Sequence, residues 1–168
     1  LTCMLFTCPV SAMRAVRALQ SGAVMYVLIG HAACTAAERA AVSAGPVRCA
    51  PEESAEWAAF CKASGSHHGA AVQGDTGMNR LGLSPAEAHA LAENGTGLIQ
   101  RFELALLMSH FVSSELPDET INARQIAAFE EIRALFPGVP ASMANSSGIF
   151  LPQAPYFDRG RPGYALYG

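Results

Sequence analysis

The chain reads as an α/β domain built on a parallel sheet. Short apolar runs alternate with helical patterns along most of its 168 residues, and parallel strands need such a crossover between each pair. Glycines close several of the runs, and capping residues open several of the helices. Seven strands in this order fall one short of a closed eight-stranded barrel.

Met4 to Thr7 is the first short strand, and a helix follows from about Ser11 to Leu19. Ala23 to Ile29 is a buried strand, rich in β-branched and aromatic residues and closed by Gly30. Thr35 and Glu38 form a capping box for a helix reaching about Val42. Val47 to Ala50 is a weak strand, and the helix after Pro51 places Trp57, Phe60 and Cys61 on one face. Ala70 to Asp75 is a strand weakened by Gly74. Ser84, Pro85 and Glu87 supply an N-cap, an N1 proline and a capping-box carboxylate, predicting a helix to about Leu91. Glu103 to His110 is the next strand. Asn122 to Leu135 is an amphipathic helix through Ile126, Phe129 and Ile132, ended by Pro137-Gly138. Ala141 to Ala144 and Gly163 to Tyr167 complete the strands.

A hydrophobic content of 51% and a net charge of −3 suit one domain with a substantial core. The 11 basic residues are scattered, which argues against nucleic acid as a partner but leaves room for a small anion. Cys3, Cys8, Cys34, Cys49 and Cys61 lack the spacing of a metal site or a redox pair, so they read as reduced, mostly buried thiols of a cytoplasmic protein. His67-His68 also lacks metal-like spacing and reads as surface. No apolar run reaches the roughly 18 to 20 residues that a membrane span needs. The apolar start, Leu1 to Val10, has neither the basic flank of a signal peptide nor an initiator methionine, as expected of an excised or truncated chain. Lys62 is the sole lysine and falls near a helix end, where it reads as a surface charge.

Asp75 to Gly82, with the sequence DTGMNRLG, places an arginine and turn-forming residues where a strand ends. This segment resembles the signature of the alanine racemase family, pyridoxal 5′-phosphate (PLP) enzymes whose large domain is a (β/α)8 barrel of the TIM type. Met108 to Phe111 (MSHF), Asn122 to Gln125 (NARQ), Ala144 to Phe150 (ANSSGIF) and Arg161 to Gly168 (RPGYALYG) resemble further family segments, in the family's order. The resemblance implies an incomplete barrel, about strands 2 to 8, with residues 1–168 as an N-terminal domain truncated at both ends. In the family, the strand before these carries the lysine that bonds the cofactor, and a tyrosine from the partner subunit's C-terminal domain serves the opposite face of the substrate. Neither can be assigned in this chain, so no catalytic residue is named.

Binding residues are implied by the same matches. Arg80 resembles the arginine that bonds the PLP phenolic oxygen near the substrate carboxylate, and an always-charged fork suits both tasks. His110 would lie beneath the cofactor ring. Asn145, Ser146, Gly163 and Tyr164 would form the phosphate site, Ser146 by its hydroxyl and Gly163 and Tyr164 by backbone N–H groups. Arg161 resembles the arginine facing the pyridine nitrogen, where it would keep the ring unprotonated. Asp75 remains open between a strand terminator and a carboxylate behind Arg80. Three departures stand out. Gln73 replaces a lysine that some members carbamylate, leaving its amide to reach Arg80, while Gly74 and Tyr164 replace residues that are usually β-branched.

The implied function is interconversion of L-alanine and D-alanine for peptidoglycan precursor supply, by a homodimer at full length, with this chain inactive alone. A second reading is a non-catalytic PLP-binding barrel of cofactor homeostasis. A third, a barrel hydrolase using Asp75 and His110, lacks any nucleophile motif such as G-x-S-x-G. On the first reading, Arg80, His110, Ser146 and Arg161 should converge on one mouth of the barrel.

Overall fold

The structure is a computed structural model that describes residues 4–7, 10–19, 22–28, 36–94, 101–153 and 155–167. Among these residues six strands, β1 (Met4–Thr7), β2 (Val24–Val27), β3 (Ala44–Arg48), β4 (Ala70–Gln73), β5 (Leu104–Met108) and β6 (Ala141–Ser142), form one sheet in the order β1-β2-β3-β4-β5-β6. Every pair is parallel. Sequence neighbours are therefore spatial neighbours throughout, the connectivity of a (β/α) barrel wall. Among the described residues, the helices α1 (Val10–Ala18), α2 (Ala36–Ala41), α3 (Pro51–Ser64), α4 (Pro85–Asn94) and α5 (Thr120–Ala134) lie in the crossovers.

Strand alternation divides the core in two. Ala71, Leu106 and Met108 join Tyr26 and Val47 in one cluster. Their strand neighbours Val72 and Leu107 join Leu83, Leu91, Phe129 and Ile132 on the helix side. Both faces of the central strands are thus buried, as a helix-covered parallel sheet requires.

Local signals set the boundaries. Ser84 N–H and Oγ–H both donate to Glu87 Oε2 at 2.7 Å, and Glu87 N–H returns a bond to Ser84 Oγ at 3.3 Å. The expected capping box is present, and these bonds hold the Glu87 carboxyl below the usual range. β3 begins earlier than expected, at Ala44, because Gly45 lets the strands approach closely: a Cβ there would lie 2.8 Å from the Gly69 carbonyl oxygen. The Thr35 end of the predicted capping box lies outside the described residues, as do Ile29 and Gly30 at the predicted close of β2.

The last predicted strand is corrected. Tyr164–Leu166 is a 3-10 turn, and the pairing beyond β6 is an isolated parallel bridge from Ser142 to Arg159. Asp158 and Arg159 both donate their N–H to the Ala141 carbonyl, and Arg161 N–H bonds the Ala144 carbonyl at 2.8 Å. Pro162 then fixes φ and offers no N–H, so sheet pairing ends before Tyr164.

Candidate functional site

Parallel strands bring the segments after β4, β5 and β6 to one end of the sheet. After β4 the chain makes a turn organised by Asp75, whose Oδ1 accepts the N–H groups of Gly77 (2.9 Å), Met78 (3.0 Å) and Asn79 (3.1 Å). Asp75 N–H donates to the Leu83 carbonyl and Leu83 N–H to the Gln73 carbonyl, both at 2.8 Å, closing the turn onto the strand. Gly82 permits this closure: its φ is +123°, and a Cβ would stand 2.7 Å from Asp75 N. Asp75 thus builds the turn, and Arg80 is carried on its exposed rim.

Two expectations around this turn change. The Gln73 side-chain amide donates to the Leu81 carbonyl at 3.0 Å, so it holds the turn's backbone. Gly74 leaves no gap, since Ile132 fills the space a side chain would take, with its Cδ1 2.8 Å from the Cβ position.

His110 follows β5, half-buried, and burial together with the nearby charges of Arg161 and Arg80 pushes its pKa down to about 4. Its imidazole is neutral at physiological pH. Arg161 is fixed from several sides. Its Nε donates to Ser142 Oγ at 2.9 Å, its Nη2 to the Ser109 carbonyl and to the Met143 carbonyl at 3.2 Å, and its guanidinium lies 5.6 Å from the centroid of the Phe6 ring. Burial pushes its pKa down to about 10, still charged at neutral pH. Its Nη1 makes no hydrogen bond among the described residues. Asp158 binds Ala141 N–H at 2.8 Å, so Arg161 belongs to the strand ends and forms no surface pair with Asp158.

Arg80, His110 and Arg161 line one cleft of about 330 Å3, with Leu28 and Met108 among its apolar walls. The segments after β6 and around Gly163 meet beside it. Ala165 N–H donates to Ser146 Oγ at 3.0 Å. Asn145 turns inward, its Oδ1 accepting from Ser114 Oγ (2.7 Å) and Gly148 N–H (2.8 Å), so its side chain shapes the loop. The backbone N–H groups of Ser147, Gly163 and Tyr164 make no hydrogen bond among the described residues, and a Cβ at Gly163 would meet nothing within 4 Å. Tyr164 is 80% exposed, so replacing a β-branched residue there opens no hole. Such open amides beside a hydroxyl suit an anion.

Lys62 is exposed in the last turn of α3. Because the crossover helices run antiparallel to the strands, that turn lies at the opposite end of the sheet from the cleft. Cys49 and Cys61 are free thiols, raised in pKa by burial, Cys49 to about 11, which argues against a nucleophilic role. His68 packs against Trp57 and Phe60 instead of lying free on the surface. No group of three or more metal-ligating side chains occurs among the described residues, and no helix there is long and apolar enough to cross a membrane. Thr76, Ser109, Asn122 and Gln125 lie in the matched segments but were assigned no role from the sequence, and all four are buried beside the site. The available signal was two amides, Asn122 and Gln125, sharing a helix face with Phe129 and Ile132.

Comparison with known proteins agrees with this arrangement. Residues 6–168 match the family described as alanine racemase, N-terminal domain. An alanine racemase of Methylobacterium nodulans is 49% identical over 152 residues, spanning 90% of this chain and 40% of that protein. One of Brucella abortus is 41% identical over 150 residues, 89% of this chain and 38% of that protein. The chain therefore spans about 40% of the length of the curated relatives it matches. Among solved structures, the alanine racemase from Bartonella henselae with covalently bound pyridoxal phosphate superposes with a TM-score of 0.90 at 30% identity, covering 99% of this chain and 46% of that one. The Streptomyces coelicolor enzyme, at 23% identity over 98% of this chain and 46% of its own, shares the fold with a TM-score of 0.87. On the family match over nearly its whole length, and on relatives sharing up to 49% of aligned residues, this chain belongs to the alanine racemase N-terminal domain family.

Proposed function

We propose that the chain is the cofactor-binding barrel portion of a PLP-dependent racemase that interconverts L-alanine and D-alanine. In the whole protein this would supply D-alanine for peptidoglycan, in the cytoplasm, from a homodimer. The observation that carries the reading is the convergence of Arg80, His110 and Arg161 on one cleft beside the open amides of 147 and 163–164. The similar Bartonella henselae structure holds pyridoxal phosphate covalently, which supports the choice of cofactor.

The donor set fits that group. Ser146 Oγ already accepts Ala165 N–H, so its own proton is free for a phosphate oxygen, alongside the N–H groups of Gly163 and Tyr164. Asn145 would act by shaping this loop. Arg161, immobilised through Nε and Nη2, leaves Nη1 for the ring nitrogen and has no proton-accepting atom while charged. His110 lines the same cleft as a neutral ring near Arg161 and Arg80. Arg80, on an exposed rim, can reach an alanine carboxylate as well as the cofactor's phenolic oxygen. PLP, when bound, supplies the electron sink that makes the α-proton of alanine removable. The chain's own groups bind and orient. No residue of it is assigned the proton transfer.

Expression of the complete gene product with PLP, followed by an alanine racemisation assay, tests the proposal. D-alanine formation from L-alanine is expected, and this chain alone should form none. Borohydride trapping of PLP on Lys62 of the isolated chain, together with D-alanine formation, would overturn the assignment.

A further inference from the structure

Helix α5 presents two polar side chains to the sheet. Asn122 and Gln125 are fully buried and, three residues apart, share one helix face. Gln125 Nε2 donates to the His110 carbonyl at 3.0 Å and to Thr76 Oγ1 at 3.2 Å, while its Oε1 accepts Val112 N–H at 3.0 Å. Thr76 Oγ1 lies 2.8 Å from Ser109 Oγ, which donates to the Gly74 carbonyl at 2.8 Å. Only one proton assignment satisfies all of these contacts. Ser109 gives its proton to Gly74, so Thr76 must give its own to Ser109 and accept from Gln125. The chain of donors runs one way, from α5 through the turn after β4 to the end of β5. The Ser109 carbonyl, in turn, receives Arg161 Nη2. Asn122 Nδ2 holds the next stretch, donating to the carbonyls of Ser113 (3.3 Å) and Leu116 (2.9 Å), while its Oδ1 is buried without a partner.

Packing alone does not account for these amides. A buried acceptor left unpaired is unfavourable, and apolar residues serve the same face at Phe129 and Ile132. What the amides add is direction: they bind backbone carbonyls and one N–H of the loop that carries His110, and the Thr76 hydroxyl of the turn that carries Arg80.

We propose that Gln125, acting through Thr76 and Ser109 and backed by Asn122, is a positioning residue that fixes the Arg80-bearing turn and His110 on the wall of the cleft. Its consequence for activity rests on the reading of that cleft as a PLP and alanine site, whereas its consequence for the loops does not.

The test uses Gln125→Met, which keeps length without hydrogen-bonding groups, and the pair Thr76→Val and Thr76→Ser, which differ in the hydroxyl. Phe129→Leu, one turn along α5, controls for loss of core packing. In the complete gene product without ligand, Gln125→Met and Thr76→Val should speed amide hydrogen exchange at residues 77–80 and 111–113, while Thr76→Ser and Phe129→Leu leave it unchanged. The same two variants should weaken PLP binding and raise the alanine KM by about tenfold to a hundredfold, with Thr76→Ser restoring both. Equal exchange in Gln125→Met, Thr76→Val and Phe129→Leu, with only melting temperatures lowered, would overturn the proposal. Should Gln125→Met not fold, the Thr76 pair decides. A wild-type protein that neither binds PLP nor racemises alanine would refute the proposed function, and the exchange comparison would still decide the positioning role.

Discussion

The turn after β4 and the loops after β6 both follow strand ends, yet they use their backbone amides in opposite ways. The first turn commits its amides internally: three go to Asp75 Oδ1, and Leu83 and Asp75 close it against the strand. Its charge is delivered by a side chain, Arg80. The loops after β6 and around Gly163 leave the N–H groups of Ser147, Gly163 and Tyr164 open among the described residues, with the Ser146 to Ala165 bond linking the loops beside them. A rigid turn aims an arginine, and an open pair of loops offers donors to an anion. Glycine follows the same division. Gly82 is needed because backbone crowds it, whereas Gly163 stands in open space, where a small residue permits close approach of a ligand.

The largest expected effect lies between the two regions, at Arg161. Replacing it by glutamate in the complete protein removes the fixed cation and sets a carboxylate against the Ser109 and Met143 carbonyls. Racemisation should fall on the order of 10³-fold or more, followed by circular dichroism of the alanine. A loss smaller than about tenfold would detach Arg161 from the site.

The glycine contrast is tested next by paired substitutions. Gly82→Ala should destabilise the fold by about 3 kcal/mol or more in denaturant titration, since the Cβ meets backbone and φ is +123°. Gly163→Ala should change stability by less than about 0.5 kcal/mol while weakening phosphate or PLP binding. Similar stability losses at both positions would erase the distinction drawn between the loops.

His110 supplies the pH arm. Its folded pKa of about 4 lies below the unfolded value of about 6.5, so the unfolded state takes up the proton first. Stability from this residue is fully present above about pH 7 and declines as the pH falls towards 4, by at most about 3 kcal/mol and less with solvent screening. The slope of unfolding free energy between pH 7 and 4 should flatten in His110→Asn. An unchanged slope would mean that His110 titrates normally and stands clear of the two arginines.

Legibility in the sequence followed the range of the interaction. Strand order and the Ser84–Glu87 box depend on residues close in sequence, and both were readable. The apolar run Tyr164-Ala165-Leu166-Tyr167 reads as a strand but forms a turn, because the pairing of 159–161 and the ring of Pro162 are decided upstream. Arg80, His110, Arg161 and Ser146 were found through family resemblance, and the structure brings the first three to one cleft. Gln125 reaches Thr76 from 49 residues away, so no local pattern could name its partner. Its burial was nevertheless signalled by the helix face it shares with Asn122, Phe129 and Ile132.

The smallest effect is expected at Ser146, and it addresses the open loops most directly. Its Oγ accepts Ala165 N–H at 3.0 Å, which leaves the hydroxyl proton available to an anion. Ser146→Ala removes both bonds. The Ala165 amide is exposed and can turn to water, so stability should fall by less than about 0.5 kcal/mol. The lost donor to phosphate is a single neutral hydroxyl, worth about 1 kcal/mol, so PLP affinity in a fluorescence titration should drop by about fivefold. Restoration by Ser146→Thr, which keeps the hydroxyl, would separate donor loss from loop distortion. Equal affinity in wild type and Ser146→Ala would move the phosphate away from these loops and leave their open amides to solvent.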